Sequence, residues 1–123
     1  MRLAHTMIRV RDLERSLAFY VGFLGLRKVR ERPIGDEAVL VFLTDEVGAY
    51  HIELTWNRDG RDYVLGDQFG HLAFFTDDLD AVIRAVEERG WPYRRSRPEI
   101  PTRYIFVKDP DGYEIEILEN RPR

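Results

Sequence analysis

The sequence contains no cysteine, so neither a disulfide framework nor a thiolate metal site is open to it. Any metal must be held by nitrogen and oxygen ligands. Lysine is nearly as scarce: Lys28 and Lys108 are the only two among 19 basic residues, the rest being Arg. Those 19 are intermixed with 22 acidic residues for a net charge of -3, which excludes the basic footprint of a nucleic-acid binder. No apolar run approaches the roughly 20 residues that a membrane span requires. Met1-Arg2-Leu3-Ala4-His5 lacks the apolar region of a signal peptide, so a cytoplasmic protein is expected, without a nucleic-acid or membrane partner. At 123 residues the chain is long enough for one compact domain.

What is present is repetition. Tyr50-His51-Ile52-Glu53-Leu54-Thr55-Trp56-Asn57 and Tyr113-Glu114-Ile115-Glu116-Ile117-Leu118-Glu119-Asn120 share the pattern Tyr-x-Ile-Glu-(Leu/Ile)-x-x-Asn. His5 precedes Asp12-Leu13 as His71 precedes Asp78-Leu79, at equal spacing. Internal self-similarity of this kind predicts two copies of one supersecondary unit.

The local patterns agree. Leu3 to Val10 alternates as a strand, Asp12 caps a helix carrying Leu13, Leu17, Tyr20, Val21 and Leu24, and Gly22 and Gly25 stop it. Strands are expected at 26–32, 38–44 and 50–56, with Pro33-Ile34-Gly35-Asp36 as a turn. After the polar stretch Asn57 to Phe69 the order restarts. A strand at 70–76 leads to a helix capped by Asp78 and ended by Gly90, then strands at 91–95, 102–108 and 113–119. The expectation is an α+β fold of two paired βαβββ modules whose mixed sheets form a half-barrel cavity. It is one domain, 1–123, with module one at 1–57, a linker at 58–69 and module two at 70–123.

On a strand, alternate residues share a face. Tyr50, Ile52, Leu54 and Trp56 form an apolar face; His51, Glu53, Thr55 and Asn57 form the other. The glutamates Glu53 and Glu116 project from corresponding faces, and His5 and His71 do so from the opening strand of each unit. If a pseudo-twofold axis relates the units, His5, Glu53, His71 and Glu116 converge as a metal site. Imidazole and carboxylate suit a borderline or hard divalent ion with positions left for water or substrate. The other candidates read more plainly. His51 is structural or exposed, Glu114 and Glu119 lie on a solvated face, and Tyr50, Tyr113, Trp56, Phe74 and Phe106 are core or cavity wall.

Leu3-Ala4-His5-Thr6-Met7-Ile8-Arg9-Val10, Leu24-Gly25-Leu26, Ile52-Glu53-Leu54-Thr55-Trp56-Asn57, Gly70-His71-Leu72-Ala73 and Asp109-Pro110-Asp111-Gly112-Tyr113 together resemble bacterial glyoxalase I (lactoylglutathione lyase) of the vicinal oxygen chelate superfamily, over nearly the whole chain. The resemblance implies a homodimer with intersubunit metal sites, His5 and Glu53 of one chain meeting His71 and Glu116 of the other. It implies a divalent metal, nickel or cobalt ahead of zinc, and glutathione as co-substrate. The implied reaction turns the methylglyoxal–glutathione hemithioacetal into S-lactoylglutathione by a 1,2-proton shift. Glu116 is the expected base, with Glu53 second, and the metal steadies the enediolate oxygens. Arg9 and Asn57 match positions that hold the glutamyl end of glutathione. The family's Lys-Gly-Gly-Thr-Thr-like segment is absent here, where Ser96-Arg97-Pro98-Glu99-Ile100-Pro101-Thr102-Arg103 stands instead. Thr102 is a partial match, and Arg95, Arg97 or Arg103 is expected to replace the lost cation. Two alternatives remain: a lyase or epimerase of this fold using another thiol or an acyl-thioester, and a non-catalytic drug-sequestering dimer.

Overall fold

The computed structural model describes residues 1–120; residues 121–123, the last of expected module two, lie outside the described residues. The chain divides into two compact units, one ending at Val64 and the next starting at Leu65. In the first, β1 (His5–Val10) is followed by α1 (Leu13–Leu17), a π-helical segment (Ala18–Phe23), β2 (Arg27–Ile34), β3 (Ala38–Thr44) and β4 (His51–Asn57). The second holds β5 (His71–Thr76), α2 (Leu79–Glu88), β6 (Tyr93–Arg95), β7 (Tyr104–Lys108) and β8 (Glu114–Glu119). Each unit is therefore βαβββ.

The sheets share one topology. In unit 1 the order is β1-β4-β3-β2 and in unit 2 it is β5-β8-β7-β6. The last three strands of each unit form an antiparallel meander, and the opening strand adds in parallel beside the last. Both sheets are open four-stranded mixed sheets. The helix between first and second strands makes the crossover that a parallel pair demands.

Burial explains why the strands hold this register. Ile8, Val10, Val41, Leu43, Ile52 and Leu54 are at most 8% exposed and form one face of sheet 1. In unit 2 Leu79, Ile83 and Val86 of α2 are buried along with Ile105, Val107, Ile115 and Ile117. A one-residue slip would exchange these for the polar set, so the apolar alternation pins both ladders. Asp12 and Asp78 cap their helices as expected, accepting from the backbone N–H of Arg15 and Ala81 at 3.1 and 3.0 Å.

Four details depart from the sequence reading. The first helix does not run regularly to Leu24. After Leu17 it widens, and the Leu24 N–H donates to the Phe19 carbonyl five residues back at 2.9 Å. Gly25, at φ +79, then reverses the chain. Strand β2 continues through Pro33 to Ile34, where a turn was expected; as an edge strand it tolerates the missing N–H. Tyr50 leaves the buried apolar face at 37% exposure, its hydroxyl instead meeting that of Thr6. Glu119 is not solvated: its side chain is 13% exposed and Arg103 holds it.

Candidate metal and substrate site

The parallel register of β1 on β4 sets His5 opposite His51 and Met7 opposite Glu53. His5 and Glu53 are thus diagonal neighbours on one sheet face. Nε2 of His5 lies 3.5 Å from Oε1 of Glu53. Unit 2 repeats this: Ala73 pairs with Glu116, and Nε2 of His71 lies 3.3 Å from Oε1 of Glu116. Both separations are long for a direct hydrogen bond. They are close to the roughly 3 Å between adjacent ligands of one divalent ion at usual bond lengths. Each imidazole is 41% exposed, while the carboxylates are only 12% and 16% exposed. A carboxylate so enclosed calls for a cation or donors to offset its desolvation. Within each unit the imidazole and carboxylate are donors that fit a divalent ion. Among the described residues no three His, Asp or Glu side chains gather as a metal group.

The two glutamates differ in their surroundings. Thr55, buried at 5% exposure, donates its hydroxyl to Oε2 of Glu53 at 2.9 Å. The matching position beside Glu116 is Leu118, which has no hydroxyl. Glu53 thus has one oxygen held by a hydroxyl, a restraint that Leu118 cannot give Glu116.

Arg9 and Asn57, expected at the substrate, do come together. The Arg9 guanidinium donates to Oδ1 of Asn57 at 2.9 Å, and the Tyr63 hydroxyl donates to the same oxygen at 3.1 Å. Arg11 secures Tyr63 by donating to its carbonyl, with its guanidinium 5.6 Å from the ring centroid. Thr102 is half-buried in the loop before β7. Arg103 is engaged elsewhere, donating to Asp80 at 2.8 Å and Glu119 at 3.1 Å. Its hydrogen bond holds the Asp80 carboxyl below the ordinary 3.8. Arg95 donates to the Tyr93 hydroxyl at 3.2 Å, and Arg97 is exposed.

Three residues escaped sequence reasoning. Tyr63 lies in the polar stretch that reads as linker. Arg30 and Arg94 lie on the edge strands, where charge reads as a solvated face, yet each stacks over a phenylalanine at 4.4 Å, Arg30 on Phe42 and Arg94 on Phe106. Those rings in turn meet the histidines edge-on, Phe42 with His5 at 5.7 Å and Phe106 with His71 at 5.0 Å. The repeat thus extends across all four strands of each sheet: His, Glu, Phe, Arg. A period-two pattern along the chain could not reveal it, because the row runs perpendicular to the strands.

Comparison with known proteins agrees with this arrangement. Residues 2–117 match the family model for the Glyoxalase/Bleomycin resistance protein/Dioxygenase superfamily. The lactoylglutathione lyase of Haemophilus influenzae is 40% identical, the alignment covering 98% of this chain and 94% of that protein. A probable lactoylglutathione lyase of Vibrio parahaemolyticus is 38% identical over 98% of this chain and 91% of its own length. Among solved structures, the trypanothione-dependent glyoxalase I of Leishmania major superposes with a TM-score of 0.83 at 34% identity, covering 97% of this chain and 86% of that one. The chain therefore belongs to the Glyoxalase/Bleomycin resistance protein/Dioxygenase superfamily and, within it, to the glyoxalase I family.

Proposed function

We propose that this protein is a glyoxalase I, a carbon–sulfur lyase that converts the hemithioacetal of methylglyoxal and glutathione to S-lactoylglutathione. The observation that carries this reading is the duplicated His–Glu pair, 3.5 Å in one unit and 3.3 Å in the other. His5, Glu53, His71 and Glu116 would hold a divalent ion, with nickel or cobalt placed ahead of zinc by resemblance to the short glyoxalases I. When bound, that ion supplies Lewis-acid stabilisation for negative charge on the substrate oxygens. By resemblance to the short glyoxalases I, two copies of the chain would complete each site as a homodimer, His5 and Glu53 of one meeting His71 and Glu116 of the other. A cytoplasmic location belongs to the same proposal.

The chain's own residues account for the rest. Arg9, steadied against Asn57, presents a guanidinium suited to the carboxylate of a glutamyl group. Thr102 and Arg103 belong to the segment that, by resemblance, would meet the far end of the thiol. The base must take the proton from one carbon and return it to the neighbouring carbon, which requires a carboxylate free to move. Glu53, tied by Thr55, suits a fixed ligand; Glu116 suits the base. The engagement of Arg103 by Asp80 and Glu119 favours one second reading, a different thiol in place of glutathione.

The test is metal reconstitution. Stripped protein receives nickel, cobalt, zinc or manganese separately, and thioester formation from methylglyoxal and glutathione is followed. Activity restored by a metal at about one ion per site is the expected result. Tight metal binding without turnover would move the assignment to another thiol. No specific metal binding would leave a binding protein of the same fold.

A further inference from the structure

The two units match in their His–Glu–Phe–Arg rows, but the arginines at the row ends are treated differently. Arg94 is met by Glu114, with its Nη1 3.4 Å from the carboxylate. The position matching Glu114 in unit 1 is His51, the residue paired with His5 as Glu114 is paired with His71. Arg30 accordingly has no carboxylate partner among the described residues. Its placement depends on an irregularity in β2. Lys28 pairs with Leu43 and Arg30 with Phe42, so Val29 is an extra residue in the ladder. Such a bulge re-aims the side chain that follows it. Here it puts the guanidinium 4.4 Å from the centroid of Phe42, whose ring also meets His5.

An open cleft of about 1240 Å³ lies at this point, lined by Arg2, His5, Arg30, Phe42, Tyr50 and His51 among others, and no lining residue is acidic. Two guanidiniums and two imidazoles line the cleft, and the neighbouring carboxylate of Glu53 is turned to His5 and Thr55 rather than to Arg30, so the Arg30 side of the cleft carries a field that favours an anion. Arg30 has its planar group pre-positioned by stacking, with its N–H edge left to bind in the plane. A carboxylate matches that edge with two parallel hydrogen bonds.

We propose that this cleft binds a carboxylate of the substrate adduct, with Arg30 as the recognising residue. The identity of the ligand as substrate rests on the isomerase reading above. The carboxylate comes either from the thiol or from the 2-oxoaldehyde.

The experiment compares wild-type holoenzyme with Arg30→Gln on four adducts: glutathione or its glycyl ethyl ester, each with methylglyoxal or with a 2-oxoaldehyde bearing a distal carboxylate. Arg30→Gln raises KM by about tenfold or more for adducts that keep the recognised carboxylate. It leaves kcat within about twofold and has no effect on adducts lacking that group. A penalty abolished by the ester assigns the thiol as the source; one confined to the carboxylated aldehyde assigns the aldehyde. An equal penalty on all four adducts, or none on any, overturns the proposal. Unchanged metal content in Arg30→Gln separates recognition from misfolding. If the wild type turns over no adduct, the isomerase reading fails. Calorimetric titration with glutathione and with the carboxylated aldehyde then still decides. Binding of either that Arg30→Gln weakens upholds the cleft; binding indifferent to the variant, or no binding, overturns it.

Discussion

Glu53 and Glu116 occupy the same place in a repeated strand, yet one neighbouring side chain separates them. A hydrogen bond to a charged, buried carboxylate contributes roughly 1.5–3 kcal/mol, so Thr55 restrains Glu53 in a way that Leu118 cannot restrain Glu116. The expected result of Glu116→Gln is a fall in kcat of roughly 10²–10⁴, the range of a lost general base, with metal content retained. Glu53 should respond differently. Thr55→Val is expected to weaken metal affinity by roughly 10–100-fold, as removal of a residue supporting a ligand does, while kcat at saturating metal stays near wild type. The converse change, Leu118→Thr, gives Glu116 the hydroxyl it lacks and should lower kcat without loss of metal. Metal titration beside steady-state kinetics on the three variants reads this directly. If Thr55→Val and Glu116→Gln affected kcat alike, the division of roles between the carboxylates would be wrong.

At the scale of elements, most of the fold was legible because its determinants are local. Alternation located the strands to within two residues, and the caps Asp12 and Asp78 and the glycines Gly25 and Gly90 marked the helices. The His–Glu pairs were legible because a repeat in sequence became a repeat in register. What stayed hidden was perpendicular or irregular: the extra residue Val29, the widened turn after Leu17, and the phenylalanines that link each histidine to an arginine. Those depend on which strand lies beside which. Arg103 shows the same limit. Its sequence neighbourhood pointed to substrate, whereas tertiary pairing ties it to Asp80 of α2 and Glu119 of β8. That pairing carries a pH signature. The Arg103 hydrogen bond lowers the folded-state pKa of Asp80 from its ordinary 3.8. The stabilisation is therefore present above about pH 4 and disappears as pH falls through the lowered folded value. Asp80→Asn should unfold more readily than wild type in urea at pH 7, and the difference should shrink toward pH 3. The effect is small, because Asp80 is 64% exposed and solvent screens the pair.

The whole molecule raises a question that neither unit answers alone. Each holds one imidazole and one carboxylate at ligand spacing, and the proposed four-ligand site would take one such pair from each unit. If the halves come from different copies, damage to unit 1 in one chain can be complemented by damage to unit 2 in another. A dimer pairing His5→Ala with His71→Ala would then bring both lesions into one site and leave the second site intact. If the halves come from one chain, each chain carries its own lesion and every site is damaged. Mixing the two inactive variants, with unfolding and refolding to exchange subunits, separates these cases. Random pairing makes half of the dimers mixed, and each mixed dimer keeps one site of two, so activity should recover to about a quarter of wild type. The two variants refolded separately must stay inactive for that recovery to count. Recovery near a quarter requires a shared site, since no arrangement within single chains regenerates an undamaged set of ligands.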